Sequence, residues 1–441
     1  MKRRLKTHIF KCGSCSHEEP KWLGRCPECG EWNSLEETAI SPGRTGKNED
    51  KSLPQSFPLS SVDPIEGKRI QSGMDELDRV LGGGIMKRSA VLLGGEPGIG
   101  KSTLLLQIAS ACETQGRILY ISGEESAGQV RLRADRIGAG SLERIELYCT
   151  GALEHILSII NAVRPVLIMV DSIQTLYCDL AGSPGTINQM KACAWELISW
   201  VKEHDAALFL AAHVTKDGFI SGPKTLEHMV DTVLYFEQGG NSGETGNVDC
   251  RFLRAVKNRF GSVDEMGIFT IGEKGLIVVA DPSLLFLVRR EGTIPAGIAT
   301  AAVLEGSRSL LVELQALTVP AKGTISRVFS GSIETNRVSR IAASLEKHLG
   351  LRLSDQDIYV NVAGGIRIKE VGAELALAAA LYSARTGLPL PAKTAIAGEL
   401  SLAGEVLPVR RQPIREKTAA GLGFSLFTAG SLKDAIKGLF G

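Results

Sequence analysis

Residues 95–102 read GEPGIGKS, a full match to the pattern GxxxxGKS, and they stand between an apolar run at 90–93 and a helix-like stretch at 103–112. Strand, glycine loop and helix in that order are what a phosphate cradle requires. Glycines let the backbone curl so that successive N–H groups point inward, and the positive end of the following helix adds its field. The cradle is formed by Gly95, Glu96, Pro97, Gly98, Ile99, Gly100, Lys101, Ser102 and Thr103. Lys101 is expected to reach the β- and γ-phosphates of a nucleoside triphosphate, and Ser102 to hold magnesium.

The other half of such a site is an acid ending a buried strand of the same sheet. Residues 166–170 are five apolar residues in a row, the signature of a parallel strand buried on both faces, and Asp171 follows as the second magnesium ligand. A residue must also polarise the attacking water. Asp171 is followed by Ser172, not by a glutamate, whereas the strand at 118–122 ends in Gly123, Glu124 and Glu125. A carboxylate from that strand suits the task, Glu124 first and Glu125 in reserve. This layout resembles the RecA and hexameric-helicase branch of these ATPases more than the AAA+ branch. The strand at 208–212 ends in His213, either a sensor of the γ-phosphate or a satisfied structural residue.

Near the N-terminus stand Cys12, Cys15, Cys26 and Cys29, a CxxC, ten residues, then CxxC. Four thiolates at that spacing form a closed tetrahedral Zn2+ site, structural because no coordination position stays open. The remaining cysteines are scattered and no secretory leader is read, which fits a reducing cytoplasm. No apolar run reaches the roughly 18 residues of a membrane span, so a cytoplasmic protein without membrane contact is expected. The net charge is +1, so a polyanion partner must be met by local patches.

Composition divides the chain into a zinc knuckle at 1–35, a Ser-, Pro- and Gly-rich linker at 36–60, an α/β segment at 61–281 and an α+β segment at 282–441. The third segment alternates short apolar strands with amphipathic helices, predicting a parallel sheet wrapped by helices. The fourth carries hairpin-like runs at 301–304 and 310–317, a helix at 335–349, a strand at 358–363 and an alanine-rich helix at 373–386.

The cysteine knuckle, GEPGIGKS, YISGEES at 120–126, HVTKDG at 213–218 and KNRFG at 257–261 together resemble the bacterial RadA (Sms) family of DNA-repair proteins over nearly the whole chain. The resemblance implies a RecA-like P-loop ATPase core between the four-Cys zinc finger and a C-terminal Lon-protease-like domain of the S5 domain 2-like type. It implies an ATP- and Mg2+-using, DNA-stimulated ATPase that assembles as a homo-oligomeric ring, a hexamer. Such a ring acts on single-stranded and branched DNA at recombination intermediates and stalled forks, as a helicase driving branch migration beside the recombinase RecA.

Arg254, with Lys257 and Arg259 of KNRFG (Lys257, Asn258, Arg259, Phe260, Gly261), either crosses a subunit boundary to a neighbour's γ-phosphate, faces DNA, or forms a solvated strand end. The resemblance favours functional roles for Lys257 and Arg259. Loops at 177–191 and 215–224 are where RecA-like rings hold strands, and Lys191, Lys216 and Lys224 are candidates to neutralise phosphates, with Tyr177 and Phe219 to stack bases. In the Lon-like segment, Gly372 stands where the family's serine nucleophile would be and Arg415 where its lysine base would be. A glycine has no nucleophile and an arginine hardly deprotonates, so peptidase activity is not expected. Arg337, Arg340, Arg410 and Arg411 are candidates to meet duplex DNA.

Two other functions fit parts of the pattern. One is a protein-remodelling ATPase with a zinc module; the other is a nucleotide-gated DNA-binding module that does not translocate. Stimulation by single-stranded DNA against stimulation by unfolded protein separates the first, and a branch-migration assay separates the second.

Overall fold

The computed structural model describes residues 8–12, 17–19, 21–39, 58, 60, 69–179, 186–213, 224–239, 250–279, 281–288, 290, 292–321, 323 and 326–441. The chain forms two compact units, Met1–Ile65 and Glu66–Gly441.

In the first unit, β1 (His8–Cys12), β2 (Glu18–Glu19) and β3 (Leu35–Ala39) make an antiparallel sheet in the order β2-β1-β3. β3 runs past the boundary expected at 35. Of the expected linker, residues 40–57 and 59 lie outside the described residues. The apolar cluster among the described residues is Cys12, Cys26 and Leu35 with Phe10 packed on it. So small a core does not offset the entropy of ordering the segment, which is why a metal is needed to fold it.

The second unit begins with a two-stranded ribbon, β4 (Arg69–Ile70) and β5 (Ile85–Met86), around helix α1 (Asp75–Leu81). Then follow β6 (Ser89–Gly95), α2 (Lys101–Ala111), β7 (Ile118–Ser122), α3 (Ala127–Ile137), β8 (Ile145–Cys149), α4 (Leu153–Val163) and β9 (Leu167–Asp171). The run continues with α5 (Ile187–Glu203), β10 (Ala207–His213), α6 (Lys224–Met229), β11 (Thr232–Gln238), β12 (Cys250–Asn258), β13 (Met266–Gly272) and β14 (Gly275–Val278). These strands form one nine-stranded sheet in the order β14-β13-β12-β11-β6-β10-β9-β7-β8. From β11 to β8 the pairings are parallel; from β11 to β14 they are antiparallel. β6 and β9 are buried along their whole length, as strands covered by helices on both faces must be. Separate apolar cores fill the two faces, one with Leu104, Leu105 and Ile108 of α2, the other with Ile156 and Ile160 of α4 and Leu197 of α5.

The rest of the chain comprises α7 (Ser283–Phe286), β15 (Ile298–Glu305), β16 (Arg308–Pro320), β17 (Val328–Ser330), α8 (Thr335–Leu349), β18 (Gln356–Val362), α9 (Glu374–Thr386) and β19 (Thr394–Ile396). It ends with β20 (Glu399–Leu400), β21 (Val406–Leu407), α10 (Gln412–Gly421), β22 (Ser425–Phe427) and α11 (Leu432–Phe440). A mixed six-stranded sheet runs β17-β18-β16-β15-β19-β22. The architecture is thus a RecA-like P-loop core joined to an α+β Lon-like half. The two halves share apolar packing: Cys250, Phe252, Met266 and Ile268 of the first sheet belong to the same cluster as Val312, Leu345 and Leu377 of the second. Polar contacts reinforce the joint. Arg308 reaches Glu76 at 3.0 Å and Arg254 pairs with Glu305, while Arg79, within the first half, holds Glu76 at 2.7 Å.

Candidate nucleotide site

Phosphate affinity begins with the turn between β6 and α2. Gly98 and Gly100 hold φ of +80° and +113°, which disfavours side chains there, and a Cβ at Gly95 would fall 2.8 Å from the Phe236 carbonyl. No side chain caps α2, so its first-turn amides are left for an anion. Lys101 is the first helical residue, 4% exposed, and its ammonium donates to the carbonyls of Gly95 (2.8 Å) and Glu96 (3.0 Å). Burial pushes its pKa down to about 8, against the pull of Asp171 and Glu124.

Four strand ends then bring a row of side chains together. Lys101 Nζ lies 3.1 Å from His213 Nδ1, His213 Nε2 lies 3.2 Å from Glu124 Oε1, and Ser172 Oγ donates to that same Glu124 oxygen at 2.5 Å. An ammonium has only protons to give, so Nδ1 of His213 accepts and the ring proton sits on Nε2, facing the carboxylate. Burial raises the Glu124 pKa, but the bonds from Ser172 and His213 more than offset it and hold it below the usual carboxylate range. The carboxylate stays ionised near neutrality and, at 44% side-chain exposure, open to water.

Glu125 faces elsewhere. Its two oxygens accept from Arg133 at 2.5 and 2.6 Å, a two-pronged pair that removes it from the row. Asp171, 8% exposed, accepts from the Tyr120 hydroxyl at 2.8 Å. Ser172 and Tyr120 were not singled out from sequence for these roles. The signal for Tyr120 was a polar-tipped residue in an otherwise apolar strand; for Ser172 it was a hydroxyl at the position after the acid.

KNRFG sits at the other end of the sheet. Phe236 pairs with Gly95 beside the cradle, whereas Thr232, at the opposite end of β11, pairs with both Val91 and Asn258. Four residues of strand, roughly 13 Å, separate the two levels. Lys257 donates to the carbonyls of Glu227 (2.7 Å), His228 (3.3 Å) and Val230 (2.7 Å), so it caps the C-terminal end of α6. Asn258 accepts from the Phe260 amide at 2.9 Å and donates to the Val80 carbonyl at 3.2 Å. The Phe260 carbonyl accepts from Arg69 at 2.8 Å, and Gly261 lies so close to Gly82 that a Cβ would meet it at 2.9 Å. The Arg259 side chain is 57% exposed and meets the Asp231 carboxylate at 3.3 Å, and its backbone N–H donates to the Asp231 carbonyl at 3.2 Å.

Of the lysines expected at DNA, Lys191 is half-buried on α5. Lys224 opens α6, while Lys216, and with it Phe219, lies outside the described residues. Tyr177 is 40% exposed. In the zinc knuckle, the sulfurs of Cys12, Cys26 and Cys29 lie within 4.8 Å of one another, with Cys12 and Cys29 at 3.6 Å. Tetrahedral thiolates about 2.3 Å from zinc stand about 3.8 Å apart, so the donor set fits that ion. Cys15, the expected fourth ligand, lies outside the described residues.

In the Lon-like half, two of the expected arginines meet a buried acid. Arg337 donates to the Lys369 carbonyl at 2.9 Å and lies 3.7 Å from Glu374, and Arg340 pairs with the same carboxylate, which is 1% exposed. Arg337, 16% exposed, is turned inward on this buried acid, whereas the Arg340 side chain pairs with it and stays 40% exposed. Arg410 and Arg411 are exposed. Arg415 is fully buried, pairing with Glu370 at 2.7 Å and donating to the Ala302 carbonyl. A Cβ at Gly372 would fall 2.5 Å from a Glu370 oxygen. An internal ion pair thus fills the place where a serine and lysine would react.

Family models match three stretches. One described as an AAA domain covers residues 57–218, a rubredoxin metal binding domain covers 10–37, and the Lon protease (S16) C-terminal proteolytic domain covers 299–425. The chain is 56% identical to the DNA repair protein RadA of Treponema pallidum, over 94% of this chain and 90% of that one. It is 43% identical to DNA repair protein RadA of Bacillus subtilis, over 94% and 90%. The protein of that name from Mycobacterium tuberculosis strain H37Rv is 44% identical over 95% and 86%. The ligands that fit are therefore ATP with Mg2+ at the cradle and Zn2+ at the cysteines.

Proposed function

The chain belongs to the RadA family, and from that premise we propose that it is a DNA-dependent ATPase of recombinational repair. It works as a homo-oligomeric ring, a hexamer, that drives branch migration on single-stranded and branched DNA alongside the recombinase RecA. The observation that carries the reading is the row Lys101, His213, Glu124 and Ser172, which joins the phosphate cradle to the strand end that leads into residues 214–223.

The chemistry follows from these side chains. Magnesium, when bound by Ser102 and Asp171, supplies charge that neutralises the β- and γ-phosphates. Lys101 leaves the carbonyls of Gly95 and Glu96 for the stronger acceptors of a triphosphate, and His213 loses its donor at Nδ1. Glu124, ionised and water-facing, then orients the attacking water and takes its proton. His213 directly precedes the segment that holds Lys216, so a change in its partners is passed to a candidate DNA loop. Glu125 keeps Arg133 and stays out of the chemistry.

KNRFG cannot complete its own chain's site, because it stands at the opposite end of β11 from Gly95. Arg259, exposed and held by one carboxylate, is the cation free to act on a neighbouring subunit's nucleotide. Lys257 supports it by fixing the end of α6. The testing experiment is ATP turnover of the zinc-replete protein with and without single-stranded DNA, with Lys101→Ala as the control that removes the cradle. Stimulation in the parent and loss of turnover in the variant are expected. Stimulation by unfolded protein instead would transfer the function to protein remodelling, and DNA-stimulated turnover without junction movement would reduce it to a gated binder.

A further inference from the structure

Two indoles on the zinc knuckle stand in water. Trp22 is 54% exposed and Trp32 70%, with Leu23 beside them at 40%. A segment whose apolar cluster is only Cys12, Cys26 and Leu35 with Phe10 would gain most by burying its tryptophans, yet both lie outside that cluster. They are neighbours. A Cβ at Gly24 would touch Trp22 Cη2 at 3.8 Å and Trp32 Cζ3 at 3.9 Å, so the benzo edges of both rings border the same glycine.

The backbone beneath them is fixed. Arg25 and Trp32 are antiparallel partners, the Asn33 N–H donates to the Gly24 carbonyl at 2.9 Å, and the Cys26 N–H donates to the Glu31 carbonyl at 2.9 Å. Cys26 is buried in the cysteine cluster, and side chains alternate along extended backbone, so Arg25 and its partner Trp32 face outward together while Glu31 takes the other face. The Arg25 guanidinium carbon lies 5.7 Å from the centre of the Trp32 ring, and its Nε donates to the Gly30 carbonyl at 2.7 Å. The two terminal nitrogens of Arg25 have no partner among the described residues. Lys21 stands exposed next to Trp22. Cations at both flanks call for a negative occupant, and exposed rings call for a flat one. A single nucleic acid strand is both, because its phosphates repeat along its length and its bases are free to stack.

We propose that Trp22, Trp32, Arg25 and Lys21 form a single-strand binding site on the zinc knuckle, in which bases stack on the two indoles and Lys21 and Arg25 meet the flanking phosphates. The site rests on the reading of the chain as DNA-dependent and adds a nucleic acid contact outside the ATPase core. Every base has a face to stack, so the site tolerates any sequence; a duplex hides those faces and is held less well.

The test uses the full-length, zinc-replete protein without nucleotide and measures dissociation constants for a thymidine oligonucleotide and for an abasic oligonucleotide of the same length. The abasic strand keeps its phosphates and offers nothing to stack. Trp32→Ala weakens the thymidine strand about tenfold and leaves the abasic strand within about twofold, whereas Trp32→Phe keeps most of the parent's affinity. Trp22→Ala follows the pattern of Trp32→Ala, and Lys21→Ala weakens both strands alike. A zinc content equal to the parent's establishes that each variant's knuckle is folded. Unchanged affinity of both alanine variants for the thymidine strand would overturn the proposal and leave the indoles to a protein partner. Equal weakening of the two strands by Trp32→Ala would also overturn it, because the loss would then not be one of stacking. Failure of the underlying reading looks different: the parent itself would bind neither strand.

Discussion

Two sites in this chain set a basic side chain against a glutamate, and they differ in every property that chemistry needs. At the nucleotide site, Lys101 and Glu124 are joined through His213, and the carboxylate is 44% exposed. In the Lon-like half, Arg415 and Glu370 meet directly at 2.7 Å, with the guanidinium fully buried. The first cation is a lysine with its pKa lowered to about 8, whose partners are carbonyls and an imidazole that a triphosphate can replace. The second is a guanidinium that stays charged and has nowhere else to go. An exchangeable bridge marks a working site; a closed, desolvated pair marks a structural one.

The largest separation between the two comes from removing each carboxylate. Glu124→Gln is expected to lower ATP turnover about 10²- to 10⁴-fold with little change in melting temperature. Glu370→Ala strands a buried guanidinium and is expected to cost about 3 to 5 kcal/mol of stability, read by denaturant unfolding, while the folded fraction keeps its affinity for ATP. If Glu370→Ala instead slowed turnover without destabilising, the contrast would collapse. Restoring the protease-like residues sharpens it. Gly372→Ser with Arg415→Lys is expected to show no peptide hydrolysis and a lowered melting temperature, because the added Cβ falls within 2.5 Å of Glu370.

A smaller effect follows from the lysine's proton. Lys101 must be charged to hold phosphate, and in the nucleotide-free chain burial lowers its pKa to about 8. Binding raises that pKa again, so affinity is full below pH 8 and falls as pH rises above it. Calorimetry in buffers of different ionisation enthalpy should record proton uptake on ATP binding above pH 8 and little at pH 6.5. The smallest effect is at His213. Its Gln variant keeps a donor and an acceptor, so DNA-free turnover should stay within about threefold of the parent, whereas His213→Ala should lose the response to DNA. An Ala variant that still responds would show that the imidazole does not transmit anything.

Where function is written in contiguous residues, the sequence was enough to read it. GEPGIGKS could be read as a cradle because strand, glycines and helix follow one another, and the strands at 118–122 and 208–212 appear as β7 and β10. What could not be read was which way neighbouring side chains turn. Glu124 and Glu125 are indistinguishable until α3 brings Arg133 onto the second. Lys257 looked like a free cation, yet its partners are carbonyls about thirty residues earlier at the end of α6. Arg337 and Arg340 looked like a basic face until α9 set Glu374 beneath them.

The central claim is that ATP cleavage at the Lys101 to Glu124 row is coupled to nucleic acid. The most direct measurement is steady-state ATP turnover by the assembled, metal-replete protein across a titration of single-stranded DNA. A rise with DNA that His213→Ala abolishes is the predicted result; identical turnover at every DNA concentration would contradict the account.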